Sequence, residues 1–319
     1  MLAATFFDGE GWREGVVDVV DGRMLVRDAT PADHLPRLDG VVTAGFTDHH
    51  VHLQLVDTAA LAGSTLGRVV DLGANLAEIV RLAAVNGPGP VVEFAGAFLT
   101  APGGYPSDRA WAPPGSVREI IDAVQAADAV SEMADAGAQT VKVAANTGAG
   151  PVFGDDLVRT IVELAAARGL DVTAHAEGPG EAQRLARLGV SRLAHAPFTE
   201  TLDDDEIARQ AASVAWISTL AIHDDETRAL AVDTVRRFHA AGGRVLYGTD
   251  MGNGPTPVGI HPGEIAALRA AGLDAPALLR ALAPGDARQS TRLLLFPGAT
   301  PTTVDPLDAR PLTADDLKV

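Results

Sequence analysis

Two histidines near the start of the chain are the first residues whose type and spacing suggest chemistry. His50 and His52 follow the apolar run 41–46, and a single residue separates them. Because strand side chains alternate between faces, both imidazoles are expected to point the same way. Two imidazoles on one face at the end of a buried strand suit a metal ion. A solvated His-rich turn explains an isolated pair about equally well.

Four further candidate ligands stand at the ends of later strand-like runs. Each alone has an ordinary explanation: the lysine could extend from a strand edge, the histidines could be hydrogen-bonded core residues, and the aspartate could cap the next helix. The whole ordered set is much harder to obtain by chance, so a metal centre is the favoured interpretation. The six candidates are His50, His52, Lys142, His175, His195 and Asp250.

These residues belong to a regular alternation of strand-like and amphipathic segments that begins at Val41. Such alternation is typical of a parallel sheet, and eight repeats predict a (β/α)8 TIM barrel with its chemistry at the C-terminal strand ends. The predicted strands are 41–46, 68–72, 90–98, 139–144, 170–174, 190–194, 214–219 and 244–248. The predicted helices are 75–85, 116–136, 155–168, 180–188, 203–212, 225–241, 262–271 and further helix over 275–295.

Local signals place several boundaries. Asp21-Gly22 between two apolar runs predicts a hairpin in a small β element over residues 1–40. Ser116 and Glu119 have capping-box spacing at a helix start. The barrel is assigned to 41–295, and the Pro-, Thr- and Asp-rich stretch 296–319 is expected to pack as an irregular tail on the N-terminal strands. Glycines stand where helix C-caps belong at Gly137, Gly169, Gly189 and Gly242.

Composition limits the classes of function. The 319 residues contain no cysteine, so disulfides and thiolate ligands are excluded. The net charge of −17 disfavours nucleic-acid binding through phosphate neutralisation. No apolar run approaches the ~20 residues that span a bilayer, and the N-terminus lacks the features of a signal peptide, so a cytoplasmic location is expected. The oligomeric state is left open, with a homo-oligomer among the options.

The ordered set resembles the amidohydrolase superfamily over nearly all of residues 41–295. The stretch TDHHVH looks like that family's Asp-x-His-x-His motif, VKV like its strand-four lysine and GTD like its strand-eight aspartate. Within the superfamily, LTAPGGYP, AGAQTVKVAANTG and VTAHAEGPGEAQRLARLGVSRLAHAPF are similar to the imidazolonepropionase-like and Xaa-Pro dipeptidase-like branch. The chain departs from that branch at Tyr105, where histidine is common, and in its short C-terminal part.

The resemblance implies two divalent metal ions, with zinc favoured, and a carboxylated Lys142 that bridges them. An anionic carbamate offers one oxygen to each cation, and the apolar neighbours Val141 and Val143 favour the neutral amine that reacts with CO2. Two such cations share a bridging hydroxide and polarise a carbonyl. Asp250 would bind one metal, accept the proton of the attacking water and deliver it to the leaving group.

Three residues outside this set are candidates for contact with a small-molecule substrate. Tyr105 follows the third strand, His223 the seventh and His261 the eighth. Ordinary loop positions explain each of them at least as well. His49 adjoins the ligands but faces the other way, so it is interpreted as a packing or supporting residue.

The sequence therefore predicts a metal-dependent amidohydrolase that cleaves an amide or peptide-like C–N bond. One alternative keeps the metals but changes the bond to a lactone or an organophosphate ester. Another is a catalytically silent barrel, against which the complete ligand set argues. A site with a single metal is the fallback for the binuclear one.

Overall fold

A computed structural model describes residues 1–85, 87 and 89–318. Its N- and C-terminal segments share a six-stranded sheet. The predicted hairpin is present, with Asp21 and Gly22 both at positive φ between antiparallel strands. The strands are β1 Leu2–Phe7, β2 Trp12–Val20, β3 Arg23–Arg27, β4 Arg37–Ala44, β15 Leu293–Phe296 and β16 Arg310–Pro311, in the spatial order β16-β15-β4-β1-β2-β3.

The other strands pair in parallel in two sheets. One has the order β5-β6-β7 and the other β14-β13-β12-β11-β10-β8-β9. Their bounds are β5 Phe46–Val51, β6 Leu66–Asp71, β7 Val91–Phe94, β8 Phe98–Thr100, β9 Val117–Glu119, β10 Thr140–Asn146, β11 Asp171–Glu177, β12 Arg192–Leu193, β13 Ala215–Ile217 and β14 Val245–Leu246.

The two parallel sheets are linked at two places, so the β-structure curls. Residues 95–97 connect β7, one edge of the three-stranded sheet, to β8 of the larger sheet. At the other edge the His49 amide donates to the Tyr247 carbonyl at 2.9 Å, and the His52 amide donates to the Met251 carbonyl at 2.7 Å. Val51 and Met251 also form a parallel bridge. The first and last of the predicted strand positions are therefore neighbours in space.

Helices alternate with these strands, as the periodicity predicts. Aspartates begin several of them: Asp203 and Asp224 accept from the backbone amide three residues later. The glycines predicted as C-caps have the positive φ that this position requires. The helices are α1 Leu76–Ala83, α2 Ala123–Asp135, α3 Asp155–Ala167, α4 Glu181–Arg187, α5 Asp204–Ala211, α6 Asp225–Ala240, α7 Pro262–Ala270 and α8 Ala275–Leu282.

The first predicted strand is wrong in its bounds. The apolar run 41–46 is divided at Gly45, between β4 in the terminal sheet and β5 in the parallel one. A side chain at Gly45 would lie 2.6 Å from the Cα of Gly67, so glycine permits the close approach at which the chain changes sheets. The strand that carries His50 is thus 46–51.

Two helix predictions are also wrong. Residues 117–119 form β9, and α2 begins only at Ala123, capped by Asp122. The predicted cap residue Ser116 is therefore not at a helix start, and its buried hydroxyl has no hydrogen-bond partner among the described residues. The segment 275–295 is α-helical only to Leu282, with a short 3-10 helix at Ala287–Gln289, because its end, Leu293–Phe296, pairs antiparallel with β4. The predicted strand 90–98 is interrupted between β7 and β8.

Within the described part of the chain, no helix has the length and hydropathy to cross a membrane.

Candidate metal centre

The six candidate ligands lie around one cavity of about 300 Å³. The structure brings them together because parallel strands present their C-terminal ends on one side of a sheet. Lys142 lies inside β10 and His175 inside β11, while His195 and Asp250 follow β12 and β14. All six side chains are buried and line the cavity: His50, His52, Lys142, His175, His195 and Asp250.

The carboxylate of Asp250 is the point at which the ring nitrogens converge. Nε2 of His50 and Nε2 of His52 each lie 3.2 Å from Asp250 Oδ1. Ligand atoms of His50, His195 and Asp250 all lie within 4.8 Å of one another. Among the described residues, Asp250 Oδ1 is buried without a hydrogen bond of acceptable geometry. A cation held between these atoms would satisfy that oxygen, so the residues present fit a divalent metal.

Contacts behind the rings orient the imidazoles toward the cavity. Nδ1 of His50 lies 2.7 Å from the Ala194 carbonyl, and Nδ1 of His52 lies 3.1 Å from the Gly73 carbonyl. Burial lowers the pKa of His50, whereas at His52 burial is outweighed by the contact with Asp250, which raises the pKa above its usual value. A carbonyl only accepts, so Nδ1 of each ring carries a proton, and in the neutral form of the ring Nε2 keeps its lone pair. This is the tautomer that a metal requires of Nε2.

The remaining two histidines have side-chain partners. Nδ1 of His195 lies 2.8 Å from Thr219 Oγ1. His175 is turned differently: its Nε2 lies 2.9 Å from Glu177 Oε2, which leaves Nδ1 for a cation in this orientation. The chain thus supplies a positioning contact for each candidate histidine ligand.

Electrostatics favour the protonation states that ligands need. Burial lowers the pKa of His50, His175 and His195 below the ordinary value, so these rings are neutral at pH 7. Burial also lowers the pKa of Lys142 to about 7, which populates the neutral amine. Burial by itself would raise the pKa of Asp250, but the neighbouring imidazoles hold it well below its usual value.

Two residues at the centre have unusual backbone conformations. Thr219 has φ 45° and ψ 35°, and Asp250 has φ 54°. The left-handed region is costly for a β-branched residue such as threonine. Such strain persists where the surroundings impose it, and here both residues contact candidate ligands or belong to the set.

A second cavity, of about 400 Å³, adjoins the first and contains the three predicted substrate-contact residues. Tyr105 lines both cavities and stacks on His175, with ring centroids 5.0 Å apart. His223 lines the second cavity, and its buried Nε2 has no hydrogen-bond partner among the described residues. His261 lines it too, and its Nδ1 accepts from the Gly263 amide at the start of α7.

Sequence reasoning missed an aromatic and apolar wall beside His52. It consists of Leu55, Phe98 and Trp111, which line the first cavity. Trp111 lies in a loop rich in proline and glycine, and a large aromatic residue in such a loop after a barrel strand is the signal that could have found it. His49 is not among the lining residues; it is half-buried, and its amide takes part in the contact between β5 and the segment after β14.

Comparison with known proteins locates this chain by its structure. No protein-family model matches the sequence, and no curated protein matches it. A solved Xaa-Pro dipeptidase with bound methionine superposes with a TM-score of 0.68 at 16% identity, covering 94% of each chain. Ochratoxinase of A. niger gives a TM-score of 0.72 at 16% identity, over 98% of this chain and 94% of that one.

A putative prolidase from Bifidobacterium longum gives a TM-score of 0.70 at 22% identity, over 94% of this chain and 89% of that one. Likeness at these identities concerns the fold. At that level the resemblance carried by the strand-end residues is confirmed: the chain shares a mixed α/β fold, with a curled sheet, with these three solved structures.

Proposed function

We propose that this protein is a metal-dependent hydrolase of amide or peptide-like C–N bonds. The observation that carries the proposal is the convergence of His50 Nε2 and His52 Nε2 on the buried Asp250 Oδ1, 3.2 Å from each, in the wall of a cavity. The dipeptidase and prolidase among the structural neighbours support the choice of bond.

We assign the architecture accordingly. The strands β5, β6, β7 with β8, β10, β11, β12, β13 and β14 make the eight positions of a (β/α)8 barrel, supported by the contacts between β5 and the segment 247–251. We keep the predicted barrel unit 41–295 and the accessory unit 1–40 with 296–319 as a proposal. Pairing of β15 with β4 and of β16 with β15 joins the two ends of the chain in one sheet, and this sheet extends across both bounds, to Ala44 and from Leu293.

The binuclear form uses the whole ligand set, with Lys142 carboxylated and zinc as the favoured ion. Divalent cations held there would polarise the scissile carbonyl and lower the pKa of attacking water. In their neutral forms, His50 and His52 keep the Nε2 lone pair because Nδ1 donates to a carbonyl. His195 would do the same with its Nδ1 donating to the Thr219 hydroxyl. Asp250 takes the proton from the attacking water at its carboxylate and passes it to the leaving nitrogen. Tyr105, His223 and His261 contact the substrate.

Metal stoichiometry and turnover test this function together. The purified protein is stripped with a chelator, reloaded with zinc and assayed on a panel of dipeptides, N-acyl amino acids, cyclic amides, lactones and phosphotriesters. We expect two equivalents of metal per chain and amide hydrolysis that disappears on stripping and returns on reloading. One equivalent would reduce the site to its single-metal form. Turnover of esters alone, or of nothing on the panel, would contradict amide hydrolysis.

A further inference from the structure

We propose that the substrate is an amide that joins a compact aromatic group to a neutral or cationic polar group, and that the site discriminates against a free carboxylate beside the scissile bond. This inference rests on the proposed hydrolysis and names its substrate class. It follows from the different linings of the two cavities that meet at the candidate metal centre.

The two cavities share a wall and together form one cleft with two lobes. Tyr105, His175, His195 and Asp250 line both of them. Three candidate ligands, His175, His195 and Asp250, therefore stand between the lobes, whereas the other three line the lobe of about 300 Å³ alone. A substrate whose scissile bond lies at this shared wall extends one substituent into each lobe.

The lobe of about 300 Å³, the aromatic lobe, contains the candidate ligands and has a wall of aromatic rings beside them. Phe98 is buried and stacks on His52, with centroids 5.7 Å apart and an interplanar angle of 30°. Trp111 stands edge-on to Phe98 at 6.1 Å and lies 6.1 Å from the ring of Tyr105. Trp111 is nevertheless 40% exposed, so part of a large ring lacks a partner. A planar aromatic substituent would cover it and would pack against the edges of the neighbouring rings.

The lobe of about 400 Å³, the polar lobe, presents negative charge and hydrogen-bonding groups. Glu177 lines it with a carboxylate that is 34% exposed and whose Oε2 contacts His175. His223 and His261 add ring nitrogens, and Asn253 and Thr256 add an amide and a hydroxyl. These groups suit a neutral polar or cationic substituent.

Neither lobe offers a guanidinium to a carboxylate. Lys142 is the sole Lys or Arg among the residues that line the two lobes, and it belongs to the candidate metal centre. Two nearby arginines lie behind the lining residues: Arg109 lies over the Tyr105 ring, and Arg228 donates to the His223 carbonyl at 2.6 Å. A substrate carboxylate in the polar lobe would face Glu177 without the paired cation that usually accompanies such recognition.

Matched substrates test the two halves of the proposal. The metal-loaded protein is assayed with N-benzoylglycinamide, N-benzoylglycine and their N-acetyl counterparts, and with a second series that carries the aromatic ring on the amine side. We expect kcat/KM to favour the benzoyl over the acetyl compound by about 10- to 200-fold in at least one series. The kcat/KM of N-benzoylglycinamide should exceed that of N-benzoylglycine by tenfold or more. Equal kcat/KM values for benzoyl and acetyl compounds in both series would overturn the aromatic preference. Equal values for glycinamide and glycine compounds in both series would overturn the discrimination against a carboxylate.

Variants connect these preferences with the lobes. Trp111→Ala should bring the benzoyl-to-acetyl ratio close to one, whereas Trp111→Phe should retain most of the preference. Glu177→Gln should raise the activity on the glycine compound relative to the glycinamide compound. Because each readout is a ratio between two substrates, a general loss of activity through His175 or through folding does not move it. Unchanged ratios would overturn the assignment of the lobes.

A binding measurement separates failure of this inference from failure of the proposed function. Benzamide and acetamide are titrated into the protein while tryptophan fluorescence is followed, with Trp111→Phe as the matched control that retains Trp12 and Trp216. A fluorescence response that saturates at a lower concentration of benzamide than of acetamide, and that the control lacks because Trp12 and Trp216 do not line the lobe, together with no amide hydrolysis, would support the aromatic lobe and reject the hydrolase. Amide hydrolysis without a preference for benzamide would support the hydrolase and reject the aromatic lobe. No binding and no hydrolysis would reject both.

Discussion

Asp48 and Thr249 join the first and last strand positions of the curled sheet, although 201 residues separate them in the chain. Asp48 Oδ1 accepts from the Thr249 amide at 3.1 Å, and Oδ2 accepts from the Thr249 hydroxyl at 2.5 Å. The His50 amide also donates to Asp48 Oδ1, at 3.1 Å. One buried carboxylate therefore holds the backbone next to two candidate ligands, His50 and Asp250.

Thr249→Val tests this link. The change keeps the shape of the side chain but leaves Asp48 Oδ2 buried without its hydroxyl partner, which should lower the free energy of unfolding by about 1–3 kcal/mol. Denaturant unfolding measures this decrease in the free energy of unfolding. The variant should also lose metal at a lower chelator concentration than the wild type. Thr201→Val, at an exposed threonine, is the control, and equal behaviour of the two variants would contradict the role of the link.

Lys142 is predicted to carry a carbamate in the metal-loaded protein. With 13C-labelled bicarbonate, the loaded wild type should give a carbamate carbon signal that is absent from Lys142→Ala and kept in Lys318→Ala, whose lysine is exposed. Lys142→Ala should also lose at least one metal and nearly all activity, whereas Lys142→Glu should retain more metal because it supplies a shorter carboxylate. A bare amine at Lys142 in the loaded protein would refute the bridging role.

Asp250→Asn should leave the fold intact and remove most turnover. The amide fits the space of the carboxylate but cannot carry a proton at neutral pH, and loss of a positioned general base typically costs ~10²–10⁴-fold. Steady-state kinetics should place the effect in kcat more than in KM. Asp225→Asn, at a fully exposed aspartate, provides the comparison. A kcat for Asp250→Asn close to that of the wild type would exclude the proton-transfer role.

Thr219 is expected to position His195 through its hydroxyl. Thr219→Val removes the partner of His195 Nδ1, whereas Thr219→Ser keeps it. Loss of such a contact behind a ligand should weaken metal affinity by about 10–100-fold. Competition with a chelator measures the affinity, and 15N NMR of the imidazole reports the tautomer in the metal-free protein. The hypothesis fails if serine and valine give the same affinity and the same nitrogen shifts.

Glu264 should make stability depend on pH. It is fully buried on α7, Oε2 accepts from the Ala221 amide at 2.7 Å, and burial raises its pKa from 4.5 to about 7. Between pH 4.5 and about 7, Glu264 keeps its proton in the folded protein but releases it in the unfolded chain. The contribution of Glu264 to the free energy of unfolding is therefore complete below pH 4.5 and is lost as the pH rises through about 7.

Glu264→Gln lacks this titration. The difference in the free energy of unfolding, wild type minus Glu264→Gln, should therefore fall across that pH window, by on the order of 3 kcal/mol at most. Denaturant unfolding of the metal-free proteins at several pH values measures it. Glu163→Gln, at an exposed glutamate of α3, should show no such trend relative to wild type. A pH-independent difference for Glu264→Gln would contradict the assignment.

The sequence alone was sufficient for the features that depend on residue type and local spacing. His50 with His52, and Asp250 after its strand, were found because period-two alternation and the alternation of strands with helices are written in neighbouring residues. The turn at Asp21-Gly22 was found because both positions need positive φ. These signals do not depend on what the segment packs against.

Other features became visible only in the tertiary structure. In each of them, a contact with a residue far away in the chain determines the local conformation or brings a side chain to the cavity. The apolar segment 293–296 carries no periodicity that separates strand from helix, and it is a strand because β4 offers it an edge. The run 41–46 is divided because Gly45 meets Gly67. Trp111 reaches the cavity from a long loop, and Thr219 reaches His195 from a strained backbone. In each case the deciding contact joins residues far apart in the chain, and local propensity carries no information about such contacts.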